Sequence, residues 1–222
     1  QDHQVRAAVL DLLDRPECAG GDVLVFLPGM AAIDRCARAL EGVAAARDLH
    51  IHRLHGELDG DVQDAALVRG PRRKIVLATN VAETSVTVDG VTGVMDSGQV
   101  RRLSMDADVG LPRLVIGRVA QDAADQRTGR AGRTAPGVCR RLWTASRHRL
   151  LPAREEPEIR RADLAPAVLQ LLEWGEDDPL RFPWIDPPPP AALERAVALL
   201  RALGAVATPP QGGTDARLRL TD

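Results

Sequence analysis

Only three of the 222 residues are cysteines, and none forms a C-x-x-C pair. Cys18, Cys36 and Cys139 are scattered and odd in number, so neither a disulfide framework nor a metal site is expected. A reducing, cytoplasmic setting is the expectation that follows. No apolar run approaches the ~20 residues needed to cross a bilayer. The start of the chain lacks the pattern of a secretory leader, so no membrane partner is expected. Lysine is nearly absent: Lys74 is the one lysine among 29 lysine and arginine residues. A phosphate-binding loop of the G-x-x-x-x-G-K-[ST] kind needs a lysine after glycine. Lys74 instead follows Arg73 and precedes Ile75 in an apolar run, and no internal repeat is present. A self-contained phosphate-loop ATPase is thereby excluded.

What is present is ordinary globular composition, 45% hydrophobic and 27% charged, with length for one to two domains. The net charge of −2 averages over unlike blocks. Residues 127–154 hold eight arginines and no acidic side chain, and Glu155, Glu156 and Glu158 follow at once. A local basic block in a near-neutral chain points to phosphate contact, by nucleotide or nucleic acid. At its head stands Gln126-Arg127-Thr128-Gly129-Arg130-Ala131-Gly132-Arg133, with arginine at every third position. Arginine is permanently charged, and its planar fork matches phosphate oxygens in pairs. A basic solvated helix face would account for the arginines but not for two glycines within it.

Short apolar runs alternate with helical patterns over the first two-thirds of the chain. Residues 23–27, 49–54, 74–78, 91–95 and 137–143 read as strands, and residues 5–13, 31–46, 58–68 and 119–131 as helices. Residues 100–115 hold two alternating segments around Asp106-Ala107-Asp108-Val109-Gly110, the pattern of a β-hairpin insertion. Repeated β–α alternation predicts an α/β fold, a parallel sheet with helices on both faces. The character changes near residue 150. Residues 164–174 and 191–203 read as amphipathic helices, and residues 205–207 and 217–220 as two short strands around a loose loop at 209–213. That is a small, mostly helical, winged-helix-like module. The expected domains are 1–148 and 149–222.

Four stretches in order carry a resemblance: residues 23–29 (VLVFLPG), Leu54-His55-Gly56, residues 78–89 (ATNVAETSVTVD) and residues 126–133 (QRTGRAGR). Together they resemble the C-terminal RecA-like domain of superfamily 2 helicases, in particular the DEAH-box group and its HrpB-type ATP-dependent RNA helicases. Residues 157–175 and Asp186-Pro187-Pro188 are similar to that family's winged-helix and helicase-associated region. The resemblance implies a RecA-like fold and a motor that uses ATP with Mg²⁺. ATP would be held between this domain and an N-terminal RecA-like domain in the same protein. With neither a phosphate loop nor a DExH run, this chain by itself would hold no cofactor and would be inactive.

The resemblance also assigns roles. Gln126 would orient the attacking water or touch the γ-phosphate, and Arg130 and Arg133 would be the arginine fingers on the γ-phosphate. The two arginines are three apart on a predicted helix and share a face. In the isolated chain they would face solvent, unengaged. Arg127 is expected in an internal salt bridge and Glu83 in a structural hydrogen-bond network. Thr87 and Asp89 match positions that meet the ribose, although an Asp-Gly turn explains Asp89 almost as well. Thr79 and Asn80 follow an apolar strand, at the edge where parallel α/β sheets place their ligands. There they would grip single-stranded RNA by its backbone, with His55 beside them or else serving as a strand-end structural histidine. DNA is the alternative strand. Leu67 occupies the place where the family stacks an aromatic residue on adenine, which weakens nucleotide selectivity. Two other readings remain: a non-catalytic nucleic-acid- or protein-binding module, and a DNA-directed superfamily 2 translocase.

Overall fold

Five short strands build the sheet, because each carries apolar side chains on both faces and can be covered on both. The computed structural model describes residues 2–106, 111–133, 135–207 and 218–221. In chain order the elements are α1 (Asp2–Asp14), β1 (Asp22–Phe26), α2 (Met30–Ala46), β2 (His50–Leu54), α3 (Gly60–Leu67) and β3 (Lys74–Ala78). There follow α4 (Val81–Thr84), β4 (Val91–Asp96), β5 (Gln99–Asp106), β6 (Leu111–Arg118), α5 (Gln121–Gly129) and β7 (Val138–Arg141). Last come α6 (Ala145–Arg149), α7 (Ala165–Glu173) and α8 (Pro190–Ala202). The sheet order is β2-β3-β1-β4-β7, and every pairing is parallel.

The period-two alternation of β1 and β3 sorts their side chains onto two faces. Val23, Val25, Ile75 and Leu77 join Leu12 of α1 and Ile33 and Leu40 of α2 in one buried cluster. Leu24, Phe26, Val76 and Ala78 pack on the opposite side with Ala66 of α3, Ala82 of α4 and Ala131. The helices therefore lie on both faces. Gly137 permits the close approach of the loop before β7. A Cβ there would overlap the Ala131 carbonyl, and it would come within 2.5 Å of the Thr92 carbonyl.

The chain divides into two compact units. The first comprises residues 1–102 and 116–155, the second residues 103–115 and 156–222. Strands β5 and β6 pair as a separate two-stranded sheet, and its outer part, 103–115, belongs to the second unit. The backbone bond from Met105 N to Arg161 O (2.8 Å) ties it there. The turn of that hairpin, residues 107–110, lies outside the described residues. In the second unit α7 and α8 bury Val168, Leu172, Leu193, Ala196 and Leu200 together. Among the described residues, the two expected terminal strands are represented by one antiparallel bridge, Val206 to Leu220. The expected loop at 209–213 and Arg217 lie outside the described residues.

Candidate functional site

The candidate residues all lie in the first unit, on one face and one edge of its sheet. Thr79 and Asn80 directly follow β3, at the carboxyl end of the parallel strands. The Thr79 amide donates to Leu54 O (3.1 Å), so the end of β2 and the loop after β3 are tied together. Asn80 is exposed and Thr79 half-buried. His55, one residue beyond β2, is buried. Its Nδ1 accepts from the Glu57 amide (3.3 Å), while Nε2 is buried without a partner. After Asn80 the chain makes the single turn of α4 and runs through residues 85–90 to β4.

The arginine motif meets this segment. Helix α5 ends at Gly129, two residues short of the expected end, and the chain continues in tighter turns. Arg130 N donates to Arg127 O (3.1 Å), Ala131 N to Thr128 O (3.1 Å) and Gly132 N to Gly129 O (3.3 Å). Bonds to the third residue back make side chains three apart eclipse one another. Arg130 and Arg133 thus share a side by this local geometry, not by the predicted helix. Glycine at 129 and 132 lies at and beyond the helix end, where it carries no interior helix penalty.

All three arginines hold residues 83–87. Arg127 is 1% exposed; its Nε donates to Glu83 Oε2 (2.7 Å) and its Nη1 to Asp96 Oδ1 (3.1 Å). The guanidinium also lies 4.9 Å from the centre of the Phe26 ring, a cation–π contact. Arg127 makes the expected internal salt bridge, and Glu83 belongs to the network. Burial raises the Asp96 carboxyl above its ordinary range, while the charge of Arg127 pulls it back down. Arg130 donates from Nε to Glu83 O (3.0 Å) and from Nη1 to Val86 O (2.9 Å), and its Nη2 also reaches Glu83 O. Arg133 Nη1 donates to Thr87 Oγ1 (2.6 Å).

These contacts correct one expectation. Arg133 is exposed but bonded to Thr87, and Arg130 is half-buried and bonded to two carbonyls, so both are engaged. The carbonyls at the end of a helical turn have no partners within it, and a nearby cation satisfies them. Burial, then the charge of Arg133, lowers the pKa of Arg130, from a value so high that it stays charged.

Glu83, Thr84, Gln126, Gly129, Arg130 and Arg133 line an open cleft of about 360 Å³. Its one carboxylate, Glu83, is already paired with Arg127. The cleft therefore offers net positive charge and an exposed carboxamide, a donor set suited to the terminal phosphate of a nucleotide. Exposed Thr87 leads in two residues to exposed Asp89, whose amide donates to Leu67 O (3.0 Å). Leu67 is half-buried at the end of α3, against the cluster under the site. Sequence reasoning missed the acceptors Glu83 O and Val86 O, since any residue type supplies a carbonyl. It also missed Asp96, for which the turn after residue 95 was the available signal.

A parallel five-stranded sheet with a polar loop at its carboxyl edge and an arginine-rich helix end beside it defines an α/β domain of the RecA-like class. The family model described as "Helicase conserved C-terminal domain" matches residues 4–135, and the chain belongs to that family. It is 44% identical over 207 residues to the human "Probable ATP-dependent RNA helicase DHX34", covering 89% of this chain and 18% of that protein. To "ATP-dependent RNA helicase HrpB" of Escherichia coli (strain K12) it is 38% identical over 207 residues, covering 92% of this chain and 25% of that protein. The crystal structure of "Escherichia coli DEAH/RHA helicase HrpB" superposes with a TM-score of 0.86 at 36% identity, covering 99% of this chain and 27% of that one. The chain thus spans roughly a fifth to a quarter of the length of these relatives.

Proposed function

We propose that this chain is the C-terminal half of the motor of an ATP-dependent RNA helicase, with residues 1–148 as the second RecA-like domain and residues 149–222 as the winged-helix region. The observation that carries the reading is the attachment of Arg127, Arg130 and Arg133 to one segment, residues 83–87, which follows the strand grip by three residues.

The residues present fit one end of the nucleotide. Gln126, Arg130 and Arg133 would face the γ-phosphate, and Thr87 and Asp89 the ribose. Mg²⁺ and the inner phosphates would be held by an N-terminal RecA-like domain in the same protein, since this chain carries no phosphate loop. ATP, when bound, supplies the phosphoryl group whose hydrolysis drives the motor. Gln126 offers a carboxamide to orient water. Arg130 and Arg133 place positive charge where it develops on the transferring group, a device worth ~10³–10⁵ in rate. Arg127 is structural, its charge consumed by Glu83 and Asp96.

Thr79 and Asn80 grip single-stranded RNA through its sugar–phosphate backbone, which carries no sequence information. His55 forms the buried wall behind them. A shift of residues 83–87 moves this grip, so occupancy of the phosphate cleft is read as tension on the strand. Three unpaired cysteines suit a cytoplasmic setting.

The test is hydrolysis in a protein that joins this chain to its phosphate-loop domain. Arg130→Ala and Arg133→Ala should each lower ATP turnover by about 10³ or more and leave RNA binding largely intact. Wild-type-like turnover in both variants would overturn the reading.

A further inference from the structure

Lys74 is 2% exposed, although 28 of the chain's 29 lysine and arginine side chains are arginine. A chain that otherwise uses arginine retains lysine at this one buried place. The geometry gives the reason. Lys74 Nζ donates to two backbone carbonyls at the end of α3, Ala66 O (2.7 Å) and Val68 O (2.7 Å). It lies 4.0 Å from Asp22 Oδ2. A compact ammonium with rotatable donors fits between the two carbonyls with the Asp22 carboxylate nearby; a planar guanidinium is larger and fixed in fork geometry.

The carbonyl between those two belongs to Leu67, and it accepts from the Asp89 amide (3.0 Å). Three consecutive carbonyls, 66, 67 and 68, are therefore pinned, two by Lys74 and one by Asp89. Asp22 closes the circuit. Its Oδ1 accepts from the Lys74 amide (2.8 Å), and its own amide donates to Gly90 O (2.8 Å). Gly90 has φ +80°, and a Cβ there would meet Asp22 Oδ2 at 3.3 Å. Lys74 and Asp22 thus fix both the end of α3 and the 89–90 turn. Asp89 is two residues from Thr87, so their Cα atoms lie within ~7 Å of each other, and Thr87 carries the hydroxyl that accepts from Arg133. The pinned turn is continuous with the phosphate cleft.

We infer that Lys74 is a positioning residue for the sugar-and-base end of the nucleoside triphosphate site, setting Leu67 and Asp89 through the backbone without touching the ligand. The inference rests on the nucleotide reading of the cleft. The desolvation cost of burying the ammonium ion is offset by its two hydrogen bonds to backbone carbonyls and by the charge of Asp22 nearby.

The experiment titrates a protein that joins this chain to a phosphate-loop domain with ATP and, separately, with inorganic tripolyphosphate, both without Mg²⁺ so that no hydrolysis occurs, following amide chemical shifts. Lys74→Arg and Lys74→Met are compared with wild type. Wild type should bind ATP about tenfold more tightly than tripolyphosphate, the worth of one charged hydrogen bond. Both variants should bring that ratio to about one, with tripolyphosphate binding unchanged. Exchange of the Asp89 amide should quicken about tenfold in Lys74→Arg while amides of β1 and β4 stay protected. A preserved ratio in a folded Lys74→Arg variant overturns the inference. So does general loss of protection in β1 and β4, which would make Lys74 a core residue only. Equal binding of both ligands by wild type overturns it too, yet leaves the phosphate site standing. Failure of wild type to bind tripolyphosphate removes the phosphate site itself, and the inference falls with it.

Discussion

Arg133 donates a hydrogen bond of 2.6 Å to the hydroxyl of Thr87, tying the last arginine of one motif to the loop that follows Thr79 and Asn80. Both side chains are exposed, so the bond adds little to stability and orients the guanidinium instead. Thr87→Val should lower ATP turnover about tenfold when the chain is assayed beside the phosphate-loop domain proposed for the same protein, and Thr87→Ser should restore most of it. Phosphate release measures the effect. Equal rates in all three proteins would show that Arg133 needs no such guide.

Arg127 has the opposite character. Its side chain is 1% exposed and its partner Asp96 is 0% exposed, with Asp96 Oδ2 already lacking a partner. Arg127→Met should destabilise the fold by about 3–5 kcal/mol, because it leaves a buried carboxylate uncompensated. The double change Arg127→Met with Asp96→Asn should recover part of that loss. Urea unfolding checks both.

Burial raises the Asp22 carboxyl above its ordinary value of 3.8. The folded chain then takes up this proton at a higher pH than the unfolded chain does, so the folded state gains as pH falls. Relative to Asp22→Asn, wild-type stability should rise as pH drops from 7 through the raised value and level off below 3.8. A stability difference that stays flat with pH would contradict it. Denaturant midpoints at several pH values supply the measurement.

Burial disfavours the thiolate form of all three cysteines. Burial pushes Cys36 up to about 12 and raises Cys18 and Cys139 as well. The thiolate is the reacting species. An aromatic disulfide reagent at pH 8 should label the native chain slowly and release three equivalents only once urea unfolds it. Rapid native labelling of Cys36 would place that helix face in solvent.

The strands were legible because continuous apolar runs of about five residues bounded by polar turns have few other solutions. Residues 23–27 and 74–78 are examples, observed as Asp22–Phe26 and Lys74–Ala78. Arg127 was legible as the buried member of its motif. The destination of Arg130 was not, since carbonyl acceptors leave no trace in residue identity. Nor was the end of α5, where Arg130 and Ala131 continue the apolar and polar pattern but the bonding shortens. The four-residue α4 is too short for any period to register. The hairpin read correctly as two alternating segments, but the membership of its outer part in the second unit rests on contacts such as Met105 to Arg161, far apart in the chain.

The burial of Lys74 has a practical side. With the one lysine sealed under α3, the folded surface offers amine-directed reagents nothing along the chain beyond a terminal amine. Acylating labels, lysine cross-linkers and enzymes that modify lysine would find no internal target on the native fold. Acylation of residue 74 would instead count molecules that have opened, and so serve as a clock for unfolding in a mixture where every other protein is labelled at once.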